Sequence, residues 1–194
     1  LEEALRIKEK VGGEVFALCM GPVSARETIR KAVAMGVNGA VLVSDPALVG
    51  SDTLGTARVL GLALKKIGFV LILFGMQSTD AGTGQVPSAV AEFLGLPQVT
   101  LASEVEVAAD RVTVRRVTDS GYQLLAAKLP AVVSVVKGIN EPRYPALRGI
   151  MQAKRADIPV WSCADIGADP ATAGRAGATT RVISAEPAKP RTAG

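Results

Sequence analysis

The chain has 194 residues, a formal net charge of +4, no histidine, two cysteines and few aromatic side chains. This length suits one α/β domain, and an aliphatic composition is typical of parallel strands covered by helices. Without histidine the commonest proton shuttle and metal ligand is missing, and the basic residues form no dense stripe of the kind that binds nucleic acid. Because Cys19 and Cys163 lie far apart, we expect reduced thiols inside a cell and no metal site. No apolar run reaches the roughly 18 residues of a membrane-spanning helix, so we expect no membrane insertion.

The first half of the chain alternates between helical and strand-like patterns. Residues 1–10 have apolar side chains at helical spacing, and without a methionine or cap before them we expect a further segment upstream. Strand-like runs follow at 14–19, 40–43 and 69–74, each separated from the next by a helical pattern. Strand and helix alternate at least three times, which predicts a doubly wound, mostly parallel α/β sheet.

After Pro97 the pattern changes to short strand-like runs that continue to Val136. Polar and apolar residues alternate in VEVAADRVTVRRV, which predicts an antiparallel section at the edge of the sheet. A basic helix at 146–155 and a helical turn at 161–166 follow. We therefore expect a nucleotide-binding α/β domain over residues 1–166. Residues 167–194 contain too few large apolar residues for a core, which predicts an extended C-terminal arm, disordered or ordered by a partner.

A glycine-rich loop connects the strand at 69–74 to the next helix. The loop runs from Gly75 to Gly84, where the helical pattern begins. A buried strand, a glycine-rich loop and a helix N-terminus together are a common α/β arrangement for holding a phosphate. The chain has neither a Walker sequence nor the G-x-G-x-x-G spacing. On the residues alone, a plain connection between strand and helix therefore stays open.

Several stretches together are more specific than this loop. They are LEEALRIKEK at 1–10, ETIRKAVAMG at 27–36, GMQSTDAGTGQVP at 75–87, LPAVVSV at 129–135 and NEPRYPALRGIMQAK at 140–154. In this order they resemble the electron transfer flavoprotein beta subunits. The resemblance covers nearly all of residues 1–154 and implies the adenine nucleotide alpha hydrolase-like fold. Family members have a strand and loop before the first stretch.

The resemblance implies a heterodimer with an alpha subunit that holds most of a redox-active FAD, and AMP buried in the beta subunit. Electrons would come from dehydrogenases such as acyl-CoA dehydrogenases and pass to a quinone oxidoreductase. The beta subunit would be an electron carrier without catalytic residues of its own, as the missing histidine also suggests. It would be cytoplasmic in bacteria or archaea and in the mitochondrial matrix of a eukaryote.

By resemblance the nucleotide loop falls on residues 77–86. Its backbone amides would hold the phosphate with help from the Thr83 hydroxyl and Gln85, and Met20 would contact the nucleotide through its backbone. Asp80 would fix the loop through local hydrogen bonds, because its negative charge repels phosphate. The complete expected set is Met20, Gln77, Ser78, Thr79, Asp80, Ala81, Gly82, Thr83, Gly84, Gln85 and Val86.

The segment from Arg143 to Lys154 matches the one with which the family engages dehydrogenases. Leu147 would enter an apolar pocket of the partner, and nearby basic residues would steer acidic partners. The expected docking residues are Arg143, Tyr144, Leu147, Ile150 and Met151. The alternative is an ordinary helix whose Leu147 is buried in the core of its own chain.

Two other functions stay open. In family members that bifurcate electrons, the pocket holds a second FAD and the loop reads close to Asp-Gly-Asp-Thr-Ala-Gln. Here residues 80–85 read Asp-Ala-Gly-Thr-Gly-Gln, and Gly82 in place of the second acidic residue favours AMP. The other alternative is an ATP-binding regulatory domain of the universal-stress type. That class has its glycine-rich run late in the chain, so we rank it lower.

Overall fold

A computed structural model describes residues 1–184 and 186. Its helices are α1 (Glu2–Val11), α2 (Arg26–Met35), α3 (Thr53–Ile67), α4 (Val86–Leu94), α5 (Leu147–Arg155) and α6 (Gly174–Gly177). Its strands are β1 (Phe16–Met20), β2 (Gly39–Val43), β3 (Leu71–Gly75), β4 (Gln98–Val107), β5 (Arg111–Thr118), β6 (Gly121–Lys128), β7 (Ala131–Val135) and β8 (Val160–Trp161). Within these described residues no helix combines the length and the apolarity needed to cross a membrane.

The strands form two sheets. The first has the order β1-β2-β8 and is parallel throughout. The second has the order β3-β7-β4-β5-β6, in which β3, β7 and β4 are parallel and the β4-β5-β6 meander is antiparallel. This confirms a mixed α/β fold with parallel strands and an antiparallel edge section. The expectation of one continuous sheet was wrong for the described residues, because a cleft separates the edge of β1 from the edge of β3.

Helix α3 joins the two sheets. Val59 and Ala63 pack with Val43 of the first sheet, whereas Leu60 and Leu64 pack with Ile72 of the second. The helix begins where the side chain of its N-cap, Asp52, accepts a hydrogen bond from the Gly55 amide. Helix α2 covers the opposite face of the first sheet with Ile29 against Ala40 and Leu42. The α3 stripe is therefore the main apolar connection across the cleft.

Two segments differ from the sequence prediction. Where the sequence predicts short separate runs after Pro97, residues 98–107 form one strand, β4, whose register shifts between Ala102 and Glu104. Near this shift Leu101 has a φ of 60°, and its amide donates to Ser134 Oγ at 3.2 Å. The helical turn expected at 161–166 is divided between strand β8 and a 3-10 turn at Ala164–Ile166. Irregular segments of this kind depend on partners that are distant in sequence.

The C-terminal arm packs on its own chain over part of its length. Ala173 is buried in the cluster of Val43 and Leu48, and a Cβ on Gly174 would collide with the Ala47 carbonyl. The expectation that the arm orders only against a partner was wrong for this part, because small residues let its backbone lie close to the β2–α3 loop. The expected arm also includes residue 185 and residues 187–194, which lie outside the described residues.

Asp52 connects this arm to α3. Its Oδ2 accepts hydrogen bonds from the Thr179 amide at 2.7 Å and the Thr180 amide at 2.9 Å, in addition to the α3 cap. The amide of Gly55, followed by the threonine donors, lowers the pKa of Asp52 to about 2. Because the pKa is lowered on folding, the stabilisation is present above the ordinary pKa of 3.8 and is lost as pH falls towards 2.

We expect Asp52→Ala to lower the free energy of unfolding by about 0.5–2 kcal/mol, the usual range for a lost N-cap. Amide exchange at Thr179 and Thr180 should rise as well, because the same carboxylate binds both residues. Urea unfolding and hydrogen exchange would measure the two effects. The control is Asp157→Ala, which removes a carboxylate that is 93% exposed. Unchanged protection at Thr179 and Thr180 would show that the arm is held elsewhere.

Candidate functional site

A cleft of about 2330 Å³ lies between the two sheets. Strands β1 and β3 line it along their whole lengths, so the two facing sheet edges form its walls. Pockets for small molecules usually have about 300–1,000 Å³, so this cleft has room for a larger ligand. In parallel sheets ligands bind beyond the carboxyl ends of the strands. That end of the cleft is the candidate site.

The glycine-rich loop and the end of β1 meet at this site. Met20 lies on one side, and seven of the eleven residues expected to bind the nucleotide lie on the other; these seven are Gln77, Ser78, Asp80, Ala81, Thr83, Gly84 and Val86. Thr79, Gly82 and Gln85 belong to the same loop but do not line the cleft. The fold thus brings together two segments that the resemblance had assigned to one pocket.

The conformation of the loop depends on its glycines. Gly82 has a φ of 61° and Gly84 a φ of 65°, in the left-handed region that side chains with a Cβ rarely adopt. As expected, Asp80 binds locally: its carboxylate accepts from the Ala81 amide at 2.8 Å. Its pKa is lowered, chiefly by the Ser78 hydroxyl and then by that amide. The Asp80 charge is therefore satisfied within the loop.

Helix α4 starts directly after this loop without a side-chain cap. The nearest polar contact is the Gln85 amide, which donates to Thr83 Oγ1 at 3.5 Å. Pro87 occupies the first turn and has no amide hydrogen to satisfy. A helix N-terminus with free amides and a partial positive charge favours an anion. Together with the left-handed glycines, this geometry fits a phosphate.

Sequence reasoning missed two further walls of the site. The first is the β2–α3 loop, including Ser44 and Asp45, whose carboxylate accepts from the amides of Ala47 at 2.9 Å and Cys163 at 3.0 Å. Since this loop follows a parallel strand, the rule about carboxyl ends would have indicated it. The second wall is the arm, which contributes Arg175 and Arg181. No local pattern marks these two arginines, although they add positive charge to the cleft.

Helix α5 presents an apolar face to solvent. Leu147 is 76% exposed, and Tyr144, just before the helix, is 96% exposed. Ile150 and Met151 are exposed as well and, one turn further along, share the face of Leu147. The alternative that Leu147 is a core residue of its own chain was therefore wrong. We call Tyr144, Leu147, Ile150 and Met151 the α5 patch.

Comparisons with known proteins show the family of the chain. Residues 1–166 match the family model of the electron transfer flavoprotein domain. The chain belongs to the electron transfer flavoprotein beta-subunit family. The electron transfer flavoprotein subunit beta of Mycobacterium tuberculosis is 42% identical over all of this chain and 75% of the relative. That of Megasphaera elsdenii is 40% identical over 94% of this chain and 70% of the relative. The caffeyl-CoA reductase-Etf complex subunit CarD of Acetobacterium woodii is 38% identical over 94% of this chain and 71% of the relative.

In this member of the electron transfer flavoprotein family, α5 is fixed from its inner side. A Cβ on Gly149 would collide with the Ala34 carbonyl, so the backbones of α5 and α2 approach closely at this point. Arg30 of α2 donates from Nη1 to the carbonyl of Ala153, and that alanine is buried. The small residues of α5 thus face the fold, whereas its large apolar residues face solvent.

Arg143, one of the residues expected in docking, instead binds two carboxylates of its own electron transfer flavoprotein subunit. The guanidinium of Arg143 binds the carboxylates of Glu2 and Glu9, both on α1. Hydrogen bonding with Arg143 lowers the pKa of Glu2 to about 2, and the same contacts raise the pKa of Arg143. Tyr144, Leu147, Ile150 and Met151 therefore remain the side chains most available to a partner.

Proposed function

We propose that this chain is the beta subunit of a heterodimeric electron transfer flavoprotein. Its alpha subunit would hold most of an FAD, which supplies the redox chemistry when bound. Electrons would arrive from dehydrogenases, for example acyl-CoA dehydrogenases, and leave to a quinone oxidoreductase. The observation that carries the proposal is the family match over residues 1–166. The adenine nucleotide alpha hydrolase-like fold is part of the same proposal.

The second part of the proposal is AMP in the cleft between β1 and β3. Amides of residues 77–86 and of the first turn of α4 would hold its phosphate, assisted by the Thr83 hydroxyl. Met20 would contact the nucleotide from the opposite wall. Support comes from the left-handed Gly82 and Gly84, the uncapped start of α4 and the two arginines on the cleft wall. When bound, AMP would stabilise the folded subunit through its binding free energy and would take no part in electron transfer.

The third part is docking of the dehydrogenase on the α5 patch. Leu147 and Tyr144 offer exposed apolar surface, and Arg148, Lys154 and Arg155 of the same helix are exposed cations. Apolar anchors contribute most of the affinity of an interface, whereas charges around them raise the association rate. This division of roles predicts a partner with an apolar pocket inside an acidic rim.

A second FAD in the cleft, as in bifurcating members of the family, is the competing function. The volume of the cleft, about 2330 Å³, includes the space along the whole edges of β1 and β3, so it does not distinguish AMP from a second FAD. Gly82 at the position of the second acidic residue favours AMP instead. The match to the electron transfer flavoprotein family gives no support to an ATP-binding regulatory domain.

Mass spectrometry of the nucleotides released from the native heterodimer tests the proposal. Co-expression with the alpha subunit should yield a stable complex that releases one FAD and one AMP. Two FAD molecules per complex would establish the competing function, and ATP would favour a regulatory domain. Failure to form a complex with the alpha subunit would contradict the heterodimer itself.

A further inference from the structure

The segment that leads into α5 is bound to α1, which lies at the other end of the chain. Arg143 donates from Nε to Glu2 Oε2 at 2.9 Å and from Nη2 to Glu2 Oε1 at 2.8 Å. Its backbone amide also donates to Glu2 Oε2, at 3.1 Å. On the outer side Nη2 donates to Glu9 Oε2 at 3.2 Å. Three residues earlier, the Asn140 side chain donates to Glu3.

The burial of Glu2 distinguishes this contact from an ordinary surface ion pair. The Glu2 side chain is 8% exposed and that of Arg143 is 34% exposed. Exposed ion pairs contribute little, but a fork of two hydrogen bonds to a buried carboxylate fixes both position and orientation. Removing Arg143 would leave the Glu2 carboxylate poorly solvated. The segment therefore has one strongly preferred position on α1.

The anchored residue directly precedes the α5 patch. Only Tyr144, Pro145 and Ala146 separate Arg143 from Leu147. Proline restricts the backbone of this connection, and α2 fixes the helix that follows at Gly149 and Ala153. Tyr144 and Leu147 consequently lie between two fixed points, one on α1 and one on α2. The side chains of both residues are mostly exposed.

We propose that Arg143 is a positioning residue: its pairing with Glu2 holds residues 140–146 so that Tyr144 and Leu147 are presented to the electron-donating partner. The inference rests on the proposed docking function. The competing role is direct contact between the Arg143 cation and an acidic partner. The geometry disfavours that role because each of the three guanidinium nitrogens already donates to Glu2 or Glu9.

The two roles predict opposite results for Glu2→Gln in the heterodimer. If Arg143 positions the patch, Glu2→Gln and Arg143→Gln both raise the KM for the reduced dehydrogenase, while kcat stays unchanged. We expect roughly a tenfold rise, equivalent to ~1.4 kcal/mol. If Arg143 meets the partner directly, Glu2→Gln releases the cation and leaves KM equal or lower. That result would overturn the inference.

Matched controls separate positioning from net charge. Glu14→Gln makes the same charge change as Glu2→Gln at an exposed glutamate, and Arg58→Gln matches Arg143→Gln at an exposed arginine of α3. Both should leave KM unchanged. Arg143→Lys keeps the charge but loses the bidentate hydrogen bonding to Glu2. If Arg143 is a positioning residue, this variant should therefore have a raised KM. Full rescue by lysine would contradict the inference.

A second measurement does not depend on docking. Hydrogen exchange of amides 140–147 in the heterodimer, without any dehydrogenase, should become faster in Glu2→Gln and Arg143→Gln and stay slow in both controls. Unchanged exchange would overturn the anchor. Faster exchange with an unchanged KM would show that the anchor exists but does not present Tyr144 and Leu147 to the partner. If Leu147→Ala also left the KM unchanged, the proposed docking surface would fail while the anchor remained.

Discussion

Leu147→Ala should slow reduction of the bound flavin by a dehydrogenase about tenfold or more, while folding and flavin content stay intact. Leu147 is among the most exposed apolar residues of the described chain, so removing its side chain costs the free protein little. When a partner covers it, burial of a leucine contributes about 2 kcal/mol, and each 1.4 kcal/mol is a factor of about ten. The measurement is flavin absorbance after rapid mixing with reduced dehydrogenase.

Two controls isolate docking in this experiment. Reduction by dithionite should proceed equally fast in both proteins, since a small reductant needs no docking surface. Leu54→Ala removes the same side chain from an exposed position on α3 and should not slow transfer. Equal transfer rates in wild type and Leu147→Ala would place the docking site elsewhere. A large loss of thermal stability would mean that Leu147 supports the fold in the heterodimer.

Gly84→Val should lower the AMP content of the heterodimer far more than its FAD content. At a φ of 65° a β-branched side chain is strained by roughly 1–3 kcal/mol, so the loop is expected to leave this conformation. A new Cβ would also lie 3.5 Å from the Met76 carbonyl, inside the loop that is proposed to hold the phosphate. We expect the AMP content to fall at least tenfold, measured by chromatography of nucleotides released from equal amounts of protein.

Gly95→Val is the matched control for this experiment. Gly95 ends the same helix and has a φ of 66°, and a Cβ at this position would have no neighbour within 4 Å. The backbone strain is thus similar, but Gly95 does not line the cleft. This variant should lose stability and keep AMP. Stoichiometric AMP in Gly84→Val would show that the phosphate is not held at the start of α4.

The parts of the fold that the sequence predicted are those with local signals. Helix α3 has its N-cap, its apolar stripe and Gly68 at its end within one stretch of chain, and the β4–β5 hairpin has alternating polarity and a tight turn between Val107 and Arg111. The division into two sheets had no such signal, because pairing between strands distant in sequence determines it. The packing of Gly174 on Ala47 could not be predicted from the sequence either, since it involves no large apolar residue.

The candidate site follows the same rule. The loop at 77–86 could be predicted because strand, glycines and helix are consecutive. Arg175 could not, because it reaches the cleft from a segment that resembles a disordered tail in composition. The contact between Arg143 and Glu2 joins residues 141 positions apart, so neither residue predicts the other. Exposure of Leu147 was open from the sequence, since apolar residues at helical spacing usually face a core.

The two faces of α5 should accept mutations very differently over evolutionary time. On the inner face, any side chain at Gly149 would push the helix away from Ala34, so this position has almost no freedom. On the outer face, Leu147, Ile150 and Met151 have no part in the core of the described chain and can change together with a partner. A lineage could therefore acquire a new electron donor by altering a few outward side chains, without having to find a new way to fold.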